Sequence, residues 1–441
     1  MKKLFLCVLF SLIFNFVAFS QTESVYCKQK IIEDINFLIQ DIENIHPESY
    51  HSVKKEDVAR KTDSIKKLLP DSINIIEAWK IVNFIMAMYE EGHTFCIPPE
   101  KEIGNFHRFP FTVIADNEQN NFIVTGSLFK SVEAPLGAEI IRINGISFDS
   151  IIAFLKPNVS YETEGFFYFQ IAKHFDFAIF SIFGATECFE LEMIIDKKKV
   201  SKKIKAIDNF EELQKPDYNF LIIQDSIALI SIKRLSHIKD FKRFFKRTFK
   251  QIKRDKISNL IIDFRGNEGG DSRIGDELIK YISNQPFSQY EKAIGKISEI
   301  SKAQLKYSGE VGDLLEVKLS KNLTEPYPEN KRFSGKVIVL IDAGTFSSGG
   351  STVWCIKHYN LATFVGEETG GTGMHFGYPI KRSLPNTGLR YFVSHIKWYQ
   401  IGADDNSVHG TIPDYVVMPN AKDIAEGKDT QLNFAIELFN H

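Results

Sequence analysis

The chain has 441 residues, too many for one ordinary core, and its 44% hydrophobic and 25% charged content is the balance of a globular protein of two or three domains. A formal net charge of -2 removes any electrostatic case for nucleic acid or for an acidic partner. Phenylalanine is abundant, at 38 residues, which implies large cores or apolar grooves.

The N-terminus reads as a secretory signal peptide over 1–20. Lys2 and Lys3 precede an apolar stretch broken only by Ser11 and Asn15, and Ala18-Phe19-Ser20 forms a small-x-small pattern before Gln21. The stretch is short against the roughly 20 residues a spanning helix needs. The expected destination is therefore the periplasm or the exterior, with no integral membrane segment after the leader is removed. The surroundings of Cys27 do not resemble a lipid attachment site. The aromatic stretch 166–183 is interrupted by Lys173, His174 and Asp176 and reads as core. Cys7 leaves with the leader. Cys27, Cys96, Cys188 and Cys355 remain, without metal-ligand or C-x-x-C spacing, and a disulfide among them stays open.

After the leader, Ile31, Ile35, Leu38, Ile42 and Ile45 mark one face of a helix that Pro47 ends. A second helical stretch, 75–89, leads into Glu90-Glu91-Gly92-His93-Thr94. From 106 to about 200 the pattern is strand-rich, with Phe122-Ile123-Val124, the run 139–143, and Asn144-Gly145 as a hairpin turn. Beyond about Asp217 strands and helices alternate. Strands are expected over 227–232, 259–264 and 336–341, each mostly apolar, and helices over 241–254, 273–283 and from the Gly/Ser turn after 341 to about Tyr359. Two strand–turn–helix units of this kind predict an α/β core with parallel pairing.

Three segments carry chemistry. In Asp342-Ala343-Gly344-Thr345-Phe346-Ser347-Ser348-Gly349-Gly350 a hydroxyl sits where a buried strand gives way to a helix. The free N–H groups of the helix start can face an oxyanion there. The same residues would serve as a plain helix cap. In Asp263-Phe264-Arg265-Gly266-Asn267-Glu268-Gly269-Gly270-Asp271, successive glycines after a buried strand can form an anion-binding concavity; no P-loop or dinucleotide fingerprint is present. His93 supplies a group that titrates in the range a serine's base requires, with His358, His375 and His409 as competitors.

In combination these segments resemble the tail-specific, or C-terminal processing, serine peptidases, in the branch that includes tricorn protease and the interphotoreceptor retinoid-binding proteins. The motifs are Asp263-x-Arg265-x-Asn267-x-Gly269-Gly270, Gly344-Thr345-Phe346-Ser347 and Val365-Gly366-Glu367-x-Thr369-Gly370-Gly371. Leu384-Pro385-Asn386-Thr387-Gly388 and Gly410-x-Ile412-Pro413-Asp414 also fit, so that order and spacing match from about Phe220 to Asp429. The resemblance implies Ser347 as nucleophile, and the N–H groups of Ser348 and of one of Gly269 and Gly270 as oxyanion donors. One branch of the family uses a lysine after the serine; Gly371-Thr372-Gly373-Met374 has none, so His93 in Glu91-Gly92-His93-Thr94 is the implied base. Asp404 or Asp405 is the implied acid that orients it. Pro135 to Ile146 resembles the strand and turn of a PDZ-like domain, which would capture a peptide by strand addition, often at its C-terminus.

The expected fold is thus α/β and β multidomain. A helical region over 21–105 carries the base. A PDZ-like β domain spans 106–210, and an α/β peptidase core of the ClpP/crotonase-like kind, with a partly parallel sheet, spans 211–441. The expected activity is hydrolysis of peptide bonds through an acyl-enzyme, without metal or other cofactor, falling below about pH 6.5 as an ordinary histidine protonates. The partner is a peptide or protein substrate. Two departures from the family pattern, Ser348-Gly349-Gly350 after the serine and Glu268 beside the glycine pair, keep a second class open: a non-catalytic peptide- or lipid-binding protein on the same fold.

Overall fold

The structure, a computed structural model, describes residues 24–99, 103, 107–116, 118–129, 132–207, 216–224 and 226–440. The leader expected over 1–20 lies outside the described residues.

Among the described residues, the N-terminal region holds the helices Lys28–Ile45, Lys55–Leu68 and Ile75–Ala87. The third starts at Asn74, whose side chain accepts from the Glu77 N–H while the Glu77 carboxylate accepts from the Asn74 N–H. Ile31, Ile35, Leu38 and Ile42 bury the face that their spacing defines, in one cluster with Ile81, Val82 and Ile85. That cluster also contains Ile380, Tyr391 and Val393, from the hairpin Met374–Ser383 and Arg390–Gln400 far along the chain. Polar ties reinforce the docking. Asp34, buried in the first helix, accepts from the N–H groups of Asn386 (2.8 Å) and Thr387 (2.9 Å) and from Thr387 Oγ1 (2.7 Å). Arg382 forks onto Asp41 at 2.7 and 3.1 Å. The helical region and this hairpin thus share one core.

The middle region holds an antiparallel sheet of six strands, from Phe111–Asp116 to Lys198–Lys205. Asn144 and Gly145 take φ of 48° and 76° and close its hairpin, the left-handed pair that a two-residue turn requires. The strand-rich expectation for 106–200 is corrected here: the helices Phe148–Leu155, Glu164–Lys173 and Phe175–Phe183 lie within it. Thr163 caps the second of them, accepting from the Phe166 N–H. Phe167, Ile171, Phe175 and Ile179 then fall on one buried side, a helical period that the density of aromatic residues hides.

The core sheet has six strands in the order Tyr218–Gln224, Ile227–Ile232, Asn259–Asp263, Lys336–Ile341, Thr363–Gly366, Tyr415–Val416. Its first pair is antiparallel and the rest are parallel. Ala228, Ile230 and Ile232 pack under the helices Ile238–Arg254, Ser272–Ile282 and Ser347–His358. Ile227 and Leu229 face the helix Thr430–Leu438. Burial on both faces is why the strands Ile227–Ile232, Asn259–Asp263 and Lys336–Ile341 are mostly apolar instead of alternating. Among the described residues no helix is long and apolar enough to cross a membrane, and the described cysteines are free thiols.

Candidate active site

Two strands of the parallel sheet, Asn259–Asp263 and Lys336–Ile341, end side by side, and the turns that follow them interlock. Asp342 Oδ1 accepts from the N–H groups of Gly266 (2.8 Å) and Gly344 (3.0 Å), and Thr345 Oγ1 donates to the Phe264 carbonyl (3.0 Å). Buried Asn267 donates to the Ile232 carbonyl and accepts from the Gly269 N–H, while its own carbonyl accepts from the Phe346 N–H. Gly269 has φ of 97°, and a Cβ there would stand 2.8 Å from Ser347 Cβ and 2.7 Å from the Ser348 nitrogen. Only glycine brings the two turns this close.

Ser347 opens the helix Ser347–His358 with φ of 51°, in the left-handed region that a non-glycine residue rarely occupies. This sharp elbow lifts the hydroxyl out of the turn. Of the implied oxyanion donors, Gly269 is corrected: its N–H is committed to Asn267 Oδ1 at 2.8 Å. The N–H groups of Ser348 and Gly270 meet no acceptor among the described residues, and Ser348 Oγ ties the two turns by donating to the Gly270 carbonyl at 2.8 Å. Arg265 is a tie of a different kind. It forks onto Asp263 and onto Asp429, the cap of the helix Thr430–Leu438. Burial opposes ionisation of Asp263, but Arg265 and Lys233 hold its carboxyl below the usual range.

His93 comes from the turn after the helix Ile75–Ala87 and places Nε2 2.9 Å from Ser347 Oγ, across 254 positions of sequence. Its ring stacks on Phe346, centroids 4.6 Å apart, and Phe346 stacks on Phe166 at 4.0 Å. Nδ1 faces two carboxylates, Glu91 Oε1 at 3.5 Å and Glu162 Oε1 at 3.8 Å. Glu91 is fully buried and fixed by the His93 N–H, which donates to its Oε1 at 2.6 Å. Behind it lies His46, Nε2 4.0 Å from Glu91 Oε2. His46 Nδ1 accepts from the Glu48 N–H, so the ring proton sits on the nitrogen facing Glu91.

Burial alone would depress the His93 pKa, but Glu162 and Glu91 outweigh it and raise it from 6.5 to about 9. Burial works against ionised Glu91 too, and His93 and His46 nonetheless bring its pKa down to about 2. Glu162 is raised by burial, against the pull of His93. An ordinary histidine titrates near pH 6.5, so the two acids move the expected decline in activity to higher pH. Among the described residues these three side chains are the one group of His, Cys, Asp or Glu with three ligand atoms within 4.8 Å, and the imidazole is already turned to Ser347.

The structure does not bring Asp404 or Asp405 to the histidine, which corrects that expectation. Asp405 accepts from Lys397 Nζ (2.7 Å) and Tyr399 Oη (2.6 Å), and Asp404 closes its own turn by accepting from the Asn406 N–H and Ser407 Oγ. The carboxylates at Nδ1 are Glu91, legible within the Glu91-Gly92-His93-Thr94 segment, and Glu162, for which the sequence holds no signal. Of the competing histidines, His375 lies with its ring centroid 6.2 Å from that of His93 and is held by burial at a pKa of about 3. His409 pairs with Glu368 at the surface, and His358 packs under Gly402.

A cavity of about 1200 Å³ opens beside this pair. His93, Phe346 and Ser347 form part of its wall, and Trp79, Phe84, Phe154 and Phe177 make other parts apolar.

The model of peptidase family S41 matches residues 226–417, which contain both turns. No curated protein sequence matches this chain. Among solved structures, that of mature CPAF is similar with a TM-score of 0.70 at 12% identity, over 93% of this chain and 96% of that one. Mature CPAF complexed with lactacystin gives a TM-score of 0.70 at 13% identity, over 93% and 97%. A putative peptidase from Parabacteroides merdae ATCC 43184 gives 0.50 at 17% identity, over 94% and 96%. At such identities these likenesses show the shared fold.

Proposed function

We propose that this chain, which belongs to peptidase family S41 and is a serine-type peptidase, cuts its peptide or protein substrate through an acyl-enzyme formed on Ser347 with His93 as base. The observation that carries the mechanism is the 2.9 Å approach of His93 Nε2 to Ser347 Oγ. Neutral His93 takes the hydroxyl proton as Oγ bonds to the scissile carbonyl carbon. The carbonyl oxygen becomes an oxyanion beside the free N–H groups of Ser348 and Gly270. The imidazolium then returns the proton to the leaving amine as the C–N bond breaks, and water releases the acyl group by the same steps in reverse order. Glu91, locked by the His93 N–H, keeps Nδ1 protonated so that Nε2 is the nitrogen presented to the serine.

The apolar cavity beside the nucleophile supports a preference for apolar residues near the cut, and the resemblance to tail-specific peptidases supports action close to a free C-terminus. The leader-like start of the sequence supports export. The test is mass-spectrometric digestion of peptides with apolar C-terminal segments, each as free acid and as amide. The mature chain is expected to cut and Ser347→Ala to lose on the order of 10⁶-fold in kcat. Equal cleavage by the variant would remove Ser347 from the chemistry. Equal cutting of acid and amide would remove the C-terminal preference while leaving the mechanism intact.

A further inference from the structure

One stretch of the middle region reaches both halves of the site. Glu162, just before the cap of the helix Glu164–Lys173, sends Oε1 to 3.8 Å from His93 Nδ1, while its other oxygen lies 3.4 Å from Thr372 Oγ1. One turn on, Phe166 stacks on Phe346, the residue before the nucleophile. Phe169 lies so close to Gly344 that a Cβ there would be 2.2 Å from its ring. At the end of the helix Lys173 forms an ion pair with Glu268, the residue before Gly269. The helix packs on the strand Phe111–Asp116, so the stretch is anchored in the middle sheet and not in the core that bears Ser347.

We propose that residues 162–173 are a positioning element of the peptidase, in which Glu162 brackets the imidazole together with Glu91 and Lys173 cancels the charge that Glu268 would set beside the oxyanion. This rests on the Ser347–His93 reading. A carboxylate next to an oxyanion turn opposes the negative charge that forms during attack; a cation paired to it removes that opposition, here below about pH 8, to which burial and the neighbouring Arg234 lower the Lys173 pKa. The pairing accounts for how a glutamate is tolerated at this place. The groups facing His93 are Glu91 from its own turn, Glu162 from this stretch and His375 from the hairpin, with His46 behind Glu91. Substituting Glu162 removes one carboxylate and leaves the others in place.

The test needs no natural substrate. It measures the rate at which diisopropyl fluorophosphate labels Ser347 in the full mature chain, as a function of pH. Lys173→Met is expected to slow labelling about tenfold. Lys173→Arg is expected to preserve the rate, and Lys173→Met combined with Glu268→Gln to restore it, which a mere loss of packing would not do. Glu162→Gln is expected to move the rising limb of the pH profile toward the ordinary histidine range near pH 6.5. Lys173 and Glu268 are 38% and 33% exposed, so both variants are expected to fold, and their circular dichroism and melting serve as the control. A double variant as slow as Lys173→Met, or a Glu162→Gln profile that coincides with that of the unaltered chain, overturns the proposal. Absence of labelling in the unaltered chain would instead overturn the serine–histidine reading on which it stands.

Discussion

At the scale of single residues, the feature that sets the pH dependence of the proposed mechanism is a histidine held between two acids. With its pKa raised to about 9, His93 is protonated at neutral pH, and only the neutral ring can accept the serine proton. Activity is therefore expected to rise with pH through the range around 9 and not to level off near 7. A kcat/KM profile on any cleaved peptide checks this, and a plateau already reached at pH 7 would contradict it. Ser347 and His93 are legible in the sequence because each lies in a compact motif. Glu162 is not, since it lies 69 positions from His93 in a part of the chain with a different fold (162 − 93). Asp404 and Asp405 mislead for a related reason: nearness to Gly410 in sequence says nothing of direction, and Lys397 and Tyr399 already occupy Asp405.

At the scale of elements, the two glycine-rich turns work because polar side chains tie the strand ends together. Arg265 is the largest such tie, joining the end of one strand to the cap of the last helix through Asp263 and Asp429. It is mostly buried, and Arg265→Ala would leave Asp263 paired with Lys233 and return the partly exposed Asp429 to water. The expected loss is about 1.5–3 kcal/mol of unfolding free energy. Urea denaturation checks it; a change under about 1 kcal/mol would place the tie among surface pairs of little weight. The parallel strands and their flanking helices could be read from the sequence, because strands covered on both faces are mostly apolar. The helices Glu164–Lys173 and Phe175–Phe183 could not, because most of their residues are aromatic or aliphatic and the period is lost.

At the scale of the molecule, the proposed base and nucleophile meet because the N-terminal helices share a core with a hairpin near the other end of the chain. Asp34 is one of its polar ties, and Asp34→Ala would orphan the N–H groups of Asn386 and Thr387. Each unpaired donor is expected to cost about 1–3 kcal/mol. Because this docking positions the segment that carries His93, kcat should fall together with stability. Denaturant melts and peptide turnover measured on one preparation check the pair of effects; a stability loss with unchanged kcat would show that the base is held without this tie. Sequence motifs locate the two ends of this arrangement, but the shared core that joins them depends on contacts across some 350 positions, as between Asp34 and Asn386.

The 254-position gap between base and nucleophile also has a consequence in time. A chain emerging from the ribosome presents His93 early and Ser347 late, and the sheet that shapes the nucleophile's turn gains its last strand, Tyr415–Val416, later still. No product of synthesis that stops short of Ser347 contains both members of the proposed pair. The pair can therefore form only once most of the chain has been made.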